Sequence, residues 1–362
     1  MTRAVALIDG EHYAPVVRDA LRALPYEWVG AIMLGGTEKL RGGDDYGVPL
    51  VDGFGDAEVV VDLSDEPVLD PAARMRWAAR ALAAGLPYEG AGFRFDPPVL
   101  EPFELPSIAV IGTGKRVGKT AVTAYLARTL ARDRSVVVVA MGRGGPREPE
   151  VVETPPTVEE LVARSRDGRH AASDHLEIAA LTGVPTIGCR RAGGGIHGAV
   201  TTSNVSVGAR LAAERNPDVV IFDGSGAAIP PIAVDRRVLV VGRGKPADDY
   251  RRLISDIVVV EPELRLRPTA PLHGRVAVFT AGATDVSGLD ADVVHVSTNL
   301  AKRDALRADL VDADTYLVEL KAAAIDVVAE HALERGIRVV LAANDVVGVD
   351  DEQLLSLLPV AV

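Results

Sequence analysis

Residues 107–120 hold the arrangement most suited to chemistry. An apolar run ends in a glycine-rich turn, and Gly118-Lys119-Thr120 opens a helical pattern over 120–131. Such a turn aims backbone N–H groups at one point, and the helix N-terminus adds partial positive charge. Gly112, Thr113, Gly114, Lys115, Arg116, Val117 and Gly118 would then form a phosphate-binding loop. Lys119 would reach the β- and γ-phosphates, and the Thr120 hydroxyl would meet the accompanying magnesium ion. The expected cofactors are therefore a nucleotide and Mg2+. The spacing departs from GxxxxGK[ST]: Thr113 sits where the first glycine belongs, and Gly112 falls one residue early.

A second acidic element completes a metal site. Residues 218–223 form an apolar run closing on Asp223, followed by Gly224-Ser225-Gly226. This is the form of a strand whose carboxylate, with Thr120, holds nucleotide-bound magnesium. Cationic partners for phosphate lie beyond other apolar runs. Arg143 stands in the glycine-rich stretch after 135–140, and Arg190 and Arg191 precede Gly193-Gly194-Gly195. Residues 186–215 contain four arginines and one acid, Glu214. Guanidinium groups pair bidentately with phosphate, so Lys119, Arg143, Arg190 and Arg191 form the candidate catalytic set. Cys189 has no flanking base and is expected to be a small buried thiol.

The elements that must position these groups alternate between strand and helix. Strands are expected at 5–8, 28–34 and 59–63, with helices at 16–24 and 71–84. They make a small parallel α/β domain over residues 1–100. Asp9, His12, Gly35, Gly36 and Lys39 follow its strand ends, where a ligand crevice forms; Asp9, His12 and Lys39 are candidate substrate residues. Ordinary turn chemistry accounts for them equally well. Residues 93–106 carry four prolines and read as an irregular linker.

A second domain is expected over 106–362, with a sub-boundary near 270. Its strands fall at 135–140, 184–187, 218–223, 238–241, 257–260, 276–279, 293–296, 316–318 and 339–342. Helices are expected at 301–310, 321–335 and 352–358. The strand 135–140 is expected beside the phosphate loop. Gly242 to Pro246 and Asn299 are candidates for base recognition. The fold class is α/β: a P-loop NTPase-type parallel sheet preceded by a smaller α/β domain.

The 362 residues carry a net charge of −12, of which residues 1–105 hold −9. That balance argues against nucleic acid or an anionic membrane surface as partner. The single cysteine excludes an internal disulfide, no apolar run approaches a membrane span, and the cytoplasm is the expected location. A small phosphorylated substrate is the expected partner, and a homodimer is compatible with the pattern.

The loop Gly112 to Thr120 resembles that of dethiobiotin synthetases, which share its displaced glycine. The wider pattern is similar to the cyclic 2,3-diphosphoglycerate synthetase family. The similarity rests on the opening from Leu7 to Tyr13, Gly35 to Lys39, the loop itself, Met141 to Pro146, and Gly188-Cys189-Arg190-Arg191. The resemblance implies an enzyme that uses ATP to close a phosphoanhydride within 2,3-diphosphoglycerate. Two alternatives stand beside it: ATP-dependent activation of another carboxylate or phosphate, and a nucleotide-switched partner-binding protein. The final hundred or so residues match no family motif, and known members are longer.

Overall fold

A computed structural model describes residues 1–39, 45–244 and 250–347, which form two units. The expected helix over 352–358, and Lys245 and Pro246, lie outside the described residues.

The first unit comprises Met1–Val99 and Ala247–Ile254. Its sheet runs in the order Tyr26–Met33, Thr2–Ile8, Val59–Asp62, Tyr88–Gly90, Phe93–Phe95. The first four strands are parallel and the last is antiparallel. The interior strand Thr2–Ile8 is apolar on both faces, with residues 4–8 fully buried, as a sheet covered by helices requires. Those helices are Ala14–Ala23 and Pro71–Ala83. Each starts with proline in its first turn, and Asp70 caps the second by accepting from Ala73 N at 2.7 Å. The strand Phe93–Phe95 occupies the start of the stretch read as linker. Its two rings pack on Tyr88 at 5.4 and 6.4 Å between centroids, so irregular chain begins only near the prolines.

The second unit comprises Leu100–Pro246 and Ser255–Val362. Its main sheet runs in the order Thr202–Ser203, Thr186–Ala192, Val136–Gly142, Val219–Asp223, Ser107–Gly112, Arg236–Val241, Ile257–Val260. All are parallel except the first. The strand over 135–140 therefore does not adjoin the phosphate loop. Val219–Asp223, apolar up to its final carboxylate and buried throughout, pairs with both neighbours, which sets Asp223 beside the loop strand. The strand expected at 184–187 continues to Ala192, because Gly142 pairs with Arg190 and Ser203 with Arg191. The Cys189-Arg190-Arg191 segment is thus strand, not loop.

The remaining sheet runs in the order Glu263–Pro268, Arg338–Val347, Thr315–Glu319, Arg275–Phe279, Asp292–Ser297, antiparallel only at the first pair. The helix expected over 321–335 is a turn, then a π-helix Ala324–Ala329 running into Glu330–Glu334. Val346 from this sheet joins the core around Ile108, Val110 and Leu126, and Asp345 pairs with Arg128 at 2.5 Å. The C-terminal sheet thereby packs on the helix Lys119–Leu130 that the phosphate loop opens.

Candidate active site

The loop is shaped by contacts that dictate its residue types. A Cβ on Gly112 would lie 2.7 Å from Lys119 Cδ and 2.9 Å from Val117 Cγ2, so only glycine leaves room for the lysine stem. Thr113, in the place usual for glycine, ties the loop to the strand Arg236–Val241. Its N–H donates to Val240 O at 3.1 Å, and its Oγ1 accepts from Gly242 N at 3.1 Å. Gly118 has φ +93° and sits against Pro262, where a side chain would be strained and crowded. Lys119 is 8 % exposed, and its Nζ donates to Gly114 O at 3.2 Å. Burial lowers its pKa, opposed by the carboxylates of Asp223 and Asp174.

A cavity of about 560 Å³ opens over the loop. Its wall includes Lys115, Arg116, Lys119, Thr120, Arg143, Asp174, Glu177, Asp223 and Lys321. Asp223 is buried and accepts from Thr123 Oγ1 at 2.8 Å. Burial and the nearby Asp174 push its pKa up to about 7, against the pull of Lys119 and Thr123. Glu177 is likewise raised to about 7 by burial, although Lys321 binds both its oxygens.

Of the residues singled out in the sequence, Lys119, Thr120, Asp223 and Arg143 share this cavity. Arg190 and Arg191 are not on its wall. The Arg190 side chain is exposed, while its main chain is bound to Asn204. Arg191 donates to Ser225 O at 2.8 Å, and Ser225 does line the cavity, so Arg191 stands behind its rim. Burial and the charge of Arg143 lower the Arg191 pKa. Cys189 is buried with its pKa pushed up to about 12, a packed thiol. Asn299 holds Asp309 at 2.7 Å and does not line the cavity. Arg243 is largely exposed, 3.6 Å from Glu261.

In the first unit, Asp9 is buried and fully engaged. Its Oδ1 accepts from Glu11 N, His12 N and His12 Nδ1, and its Oδ2 from Asp65 N at 2.7 Å. Burial alone would raise the Asp9 pKa, but the hydrogen bonds from Asp65 and His12 outweigh it and lower it. Its carboxylate thus braces the turn, and His12 is the more available group, 3.7 Å from Asp65. These residues lie between the ends of Thr2–Ile8 and Val59–Asp62, where the strand order reverses. Lys39 closes the 3₁₀ turn Thr37–Lys39.

Sequence reasoning missed Asp174, Glu177 and Lys321. The first two face the cavity from the helix Asp174–Thr182, whose first turn is acidic after Ser173. The spacing Ser173-Asp174 to Glu177 was the available signal for a helix start. Behind them Arg164 grips Glu150 with two 2.5 Å hydrogen bonds, and His175 Nε2 lies 3.6 Å from Glu150.

Three sequence models of the cyclic 2,3-diphosphoglycerate synthetase family match the chain. The N-terminal domain matches residues 3–96, the P-loop domain 107–261 and the C-terminal domain 282–345. The last match falls where the sequence offered no recognisable motif. The cyclic 2,3-diphosphoglycerate synthetase of Rubrobacter xylanophilus is 44% identical, over 95% of this chain and 94% of its own. That of Thermococcus kodakarensis is 40% identical over 97% and 96%, and that of Methanothermus fervidus 37% over 96% and 94%. These alignments span at least 415 positions, so the relatives hold stretches that this 362-residue chain lacks. Among solved structures, ATP-bound LpxK from Aquifex aeolicus shares 16% identity at a TM-score of 0.43, covering 72% of this chain and 89% of its own, a likeness too remote to argue from. Such similarity over nearly the whole length, with all three domains matched, leads to one conclusion: the chain belongs to the cyclic 2,3-diphosphoglycerate synthetase family.

Proposed function

We propose that the chain is an ATP-dependent synthetase that forms cyclic 2,3-diphosphoglycerate. The observation that carries this reading is the match of all three family domains to a chain with a phosphate loop, Asp223 and Arg143 around one cavity. One phosphate oxygen of 2,3-diphosphoglycerate attacks the γ-phosphorus of ATP, and the bond to the β,γ-bridging oxygen breaks to release ADP. The second phosphate then attacks the phosphate that was activated, expelling inorganic phosphate and closing the ring. Both steps concentrate negative charge, so catalysis depends on preorganised cations.

Lys119 faces the migrating phosphoryl group, and Arg143, on the wall of the same cavity, takes a substrate phosphate. Arg190 and Arg191 add positive potential from behind the rim, with Arg191 fixed by Ser225. Thr120 and Asp223 suit magnesium. A buried carboxylate with a raised pKa and a threonine lining the same cavity would suit a divalent cation that needs only one or two protein oxygens. When bound, that ion supplies charge neutralisation on the β- and γ-phosphates. His12, oriented by Asp9, and Lys39 are the first unit's candidates for the substrate. A phosphorylated three-carbon acid and ATP as substrates place the reaction in the cytoplasm. No described helix is long and apolar enough to cross a membrane.

The test is ADP release from ATP with and without 2,3-diphosphoglycerate, with cyclic product followed by phosphorus NMR. Strong stimulation with stoichiometric cyclic product is expected. A slow rate indifferent to 2,3-diphosphoglycerate, or a response only to another acid, overturns the assignment.

A further inference from the structure

The turn after the strand Thr315–Glu319 brings one more cation to the phosphate-loop cavity, from about 200 residues further along the chain. Lys321 lines that cavity with Lys119, Asp174, Glu177 and Asp223. Its Nζ donates to both oxygens of Glu177, whose side chain is 7 % exposed, while the lysine side chain remains 34 % exposed. An ammonium has three donors, so at least one stays available to the cavity. Glu319 does not compete for it. One Glu319 oxygen accepts from Ala281 N at 2.7 Å and the other from Asn344 Nδ2 at 2.6 Å.

The turn is held in an unusual shape. Ala322, not a glycine, has φ +38°, and the flanking N–H groups of Lys321 and Ala324 donate to Glu319 O and Lys321 O at 2.8 Å. Strain of this kind persists where the surroundings over-determine a functional position. Lys119 and Lys321 also share their electrostatic partners: both act on Asp223 and both are acted on by Asp174. The two ammonium groups therefore lie near enough to act on one another and on the same carboxylates of one cavity.

We propose that Lys321 is a ligand of the ATP γ-phosphate, resting on Glu177 in the nucleotide-free chain and turning to the phosphate, beside Lys119, when ATP binds. This rests on the loop being an ATP site, not on the identity of the second substrate. Glu177 tolerates the loss of its partner. The other charged groups that act on it, Asp174 and Glu319, are both acidic, and together with burial they favour the protonated carboxyl once the lysine leaves. No buried charge is stranded when the lysine moves.

The experiment measures affinity for ADP and for a non-hydrolysable ATP analogue, each with Mg2+, in the wild type, Lys321→Met and the double variant Glu177→Gln/Lys321→Met. Lys321→Met should weaken the ATP analogue by tenfold or more and ADP by less than twofold. The double variant replaces the carboxyl by a neutral amide, so its thermal stability should at least equal that of the single variant, without any return of affinity for the ATP analogue. It carries the test alone if the single variant does not fold. Equal effects on ADP and the analogue, or recovery of analogue affinity together with stability, would make Lys321 a structural tie and overturn the proposal. A wild type that binds neither nucleotide overturns the ATP site as well. A wild type that binds both but ignores 2,3-diphosphoglycerate overturns only the substrate, and leaves Lys321 to be judged on the affinities.

Discussion

The hydroxyl of Thr123, one turn into the helix that the phosphate loop opens, donates to Asp223 Oδ1 at 2.8 Å and joins the loop to the neighbouring strand. That bond favours the ionised carboxylate, which burial and Asp174 oppose so strongly that its pKa stands near 7. Asp223 is therefore charged above that pH and neutral below it. Activity should fall on the acid side with an apparent pKa near 7 as Asp223 takes up its proton. Thr123→Val removes a hydrogen bond to a charged group, a loss of about 1.5 kcal/mol, and should move this limb up by about one unit. The measurement is kcat/KM for ATP against pH, and an unmoved limb refutes the role given to Asp223.

Lys119 is held by Gly114 O in a buried site, so its ammonium is already in place before any nucleotide arrives. Lys119→Ala removes a preorganised charge from the transferring phosphoryl group, a loss of roughly 100- to 1000-fold or more in kcat. ADP release and cyclic product formation should fall together. Undiminished product in this variant would sink the assignment of the site.

Gly112→Ala tests the displaced glycine directly. The added methyl would press on the Lys119 stem at 2.7 Å, and the strand above it is too buried to yield. Overpacking of this type costs about 1–3 kcal/mol in a tight core. Here the softest neighbour is the catalytic lysine itself, so activity should suffer more than stability. Near-normal turnover with a lowered melting temperature would mean that the strand, not the lysine, gives way.

The phosphate loop and Asp223 were legible because each is local: a strand, a glycine turn and a defined residue at its end. The parallel α/β class was legible for the same reason, from apolar runs alternating with helical spacing. What could not be read was which strands become neighbours. Val219–Asp223 enters between the loop strand and Val136–Gly142, a choice made by burial across the whole sheet. Arg190 and Arg191 looked like loop residues because glycines surround them, yet pairing with Val136–Gly142 and Thr202–Ser203 extends their strand. Lys321 was invisible for a stronger reason. Its meaning depends on Glu177, 144 residues away, and no spacing rule connects the two.

Glu150 stands behind the cavity, 3.6 Å from the lining residue His175. His175 and Arg164 hold its carboxyl well below the usual carboxylate range despite partial burial. A depressed pKa means that the stabilisation is complete above the ordinary carboxylate value and is lost as pH falls through the acid range. Glu150→Gln should therefore cost about 2 kcal/mol in urea unfolding at neutral pH. The gap from the wild type should shrink as the acid range is entered; a gap independent of pH would show that charge on Glu150 is not what stabilises the fold.

At the first unit's strand ends, His12 keeps one ring nitrogen outside the hydrogen bonds of its own turn. Asp9 accepts from its Nδ1 at 2.9 Å, which fixes the ring and leaves Nε2 directed towards the exposed Asp65. If this end of the sheet holds substrate phosphate, His12→Ala should raise KM for 2,3-diphosphoglycerate by about tenfold, the worth of one charge-assisted hydrogen bond. KM for ATP should stay unchanged, since the phosphate loop belongs to the other unit. Asp9→Asn would act differently, because it disturbs four hydrogen bonds to the carboxylate and so loosens the turn itself. Its expected signature is a lower melting temperature with KM changed only as far as His12 is misplaced. A His12→Ala enzyme with wild-type KM for both substrates would return these residues to plain turn chemistry, and would place all recognition of the phosphorylated acid on Arg143 and the arginines behind the cavity rim.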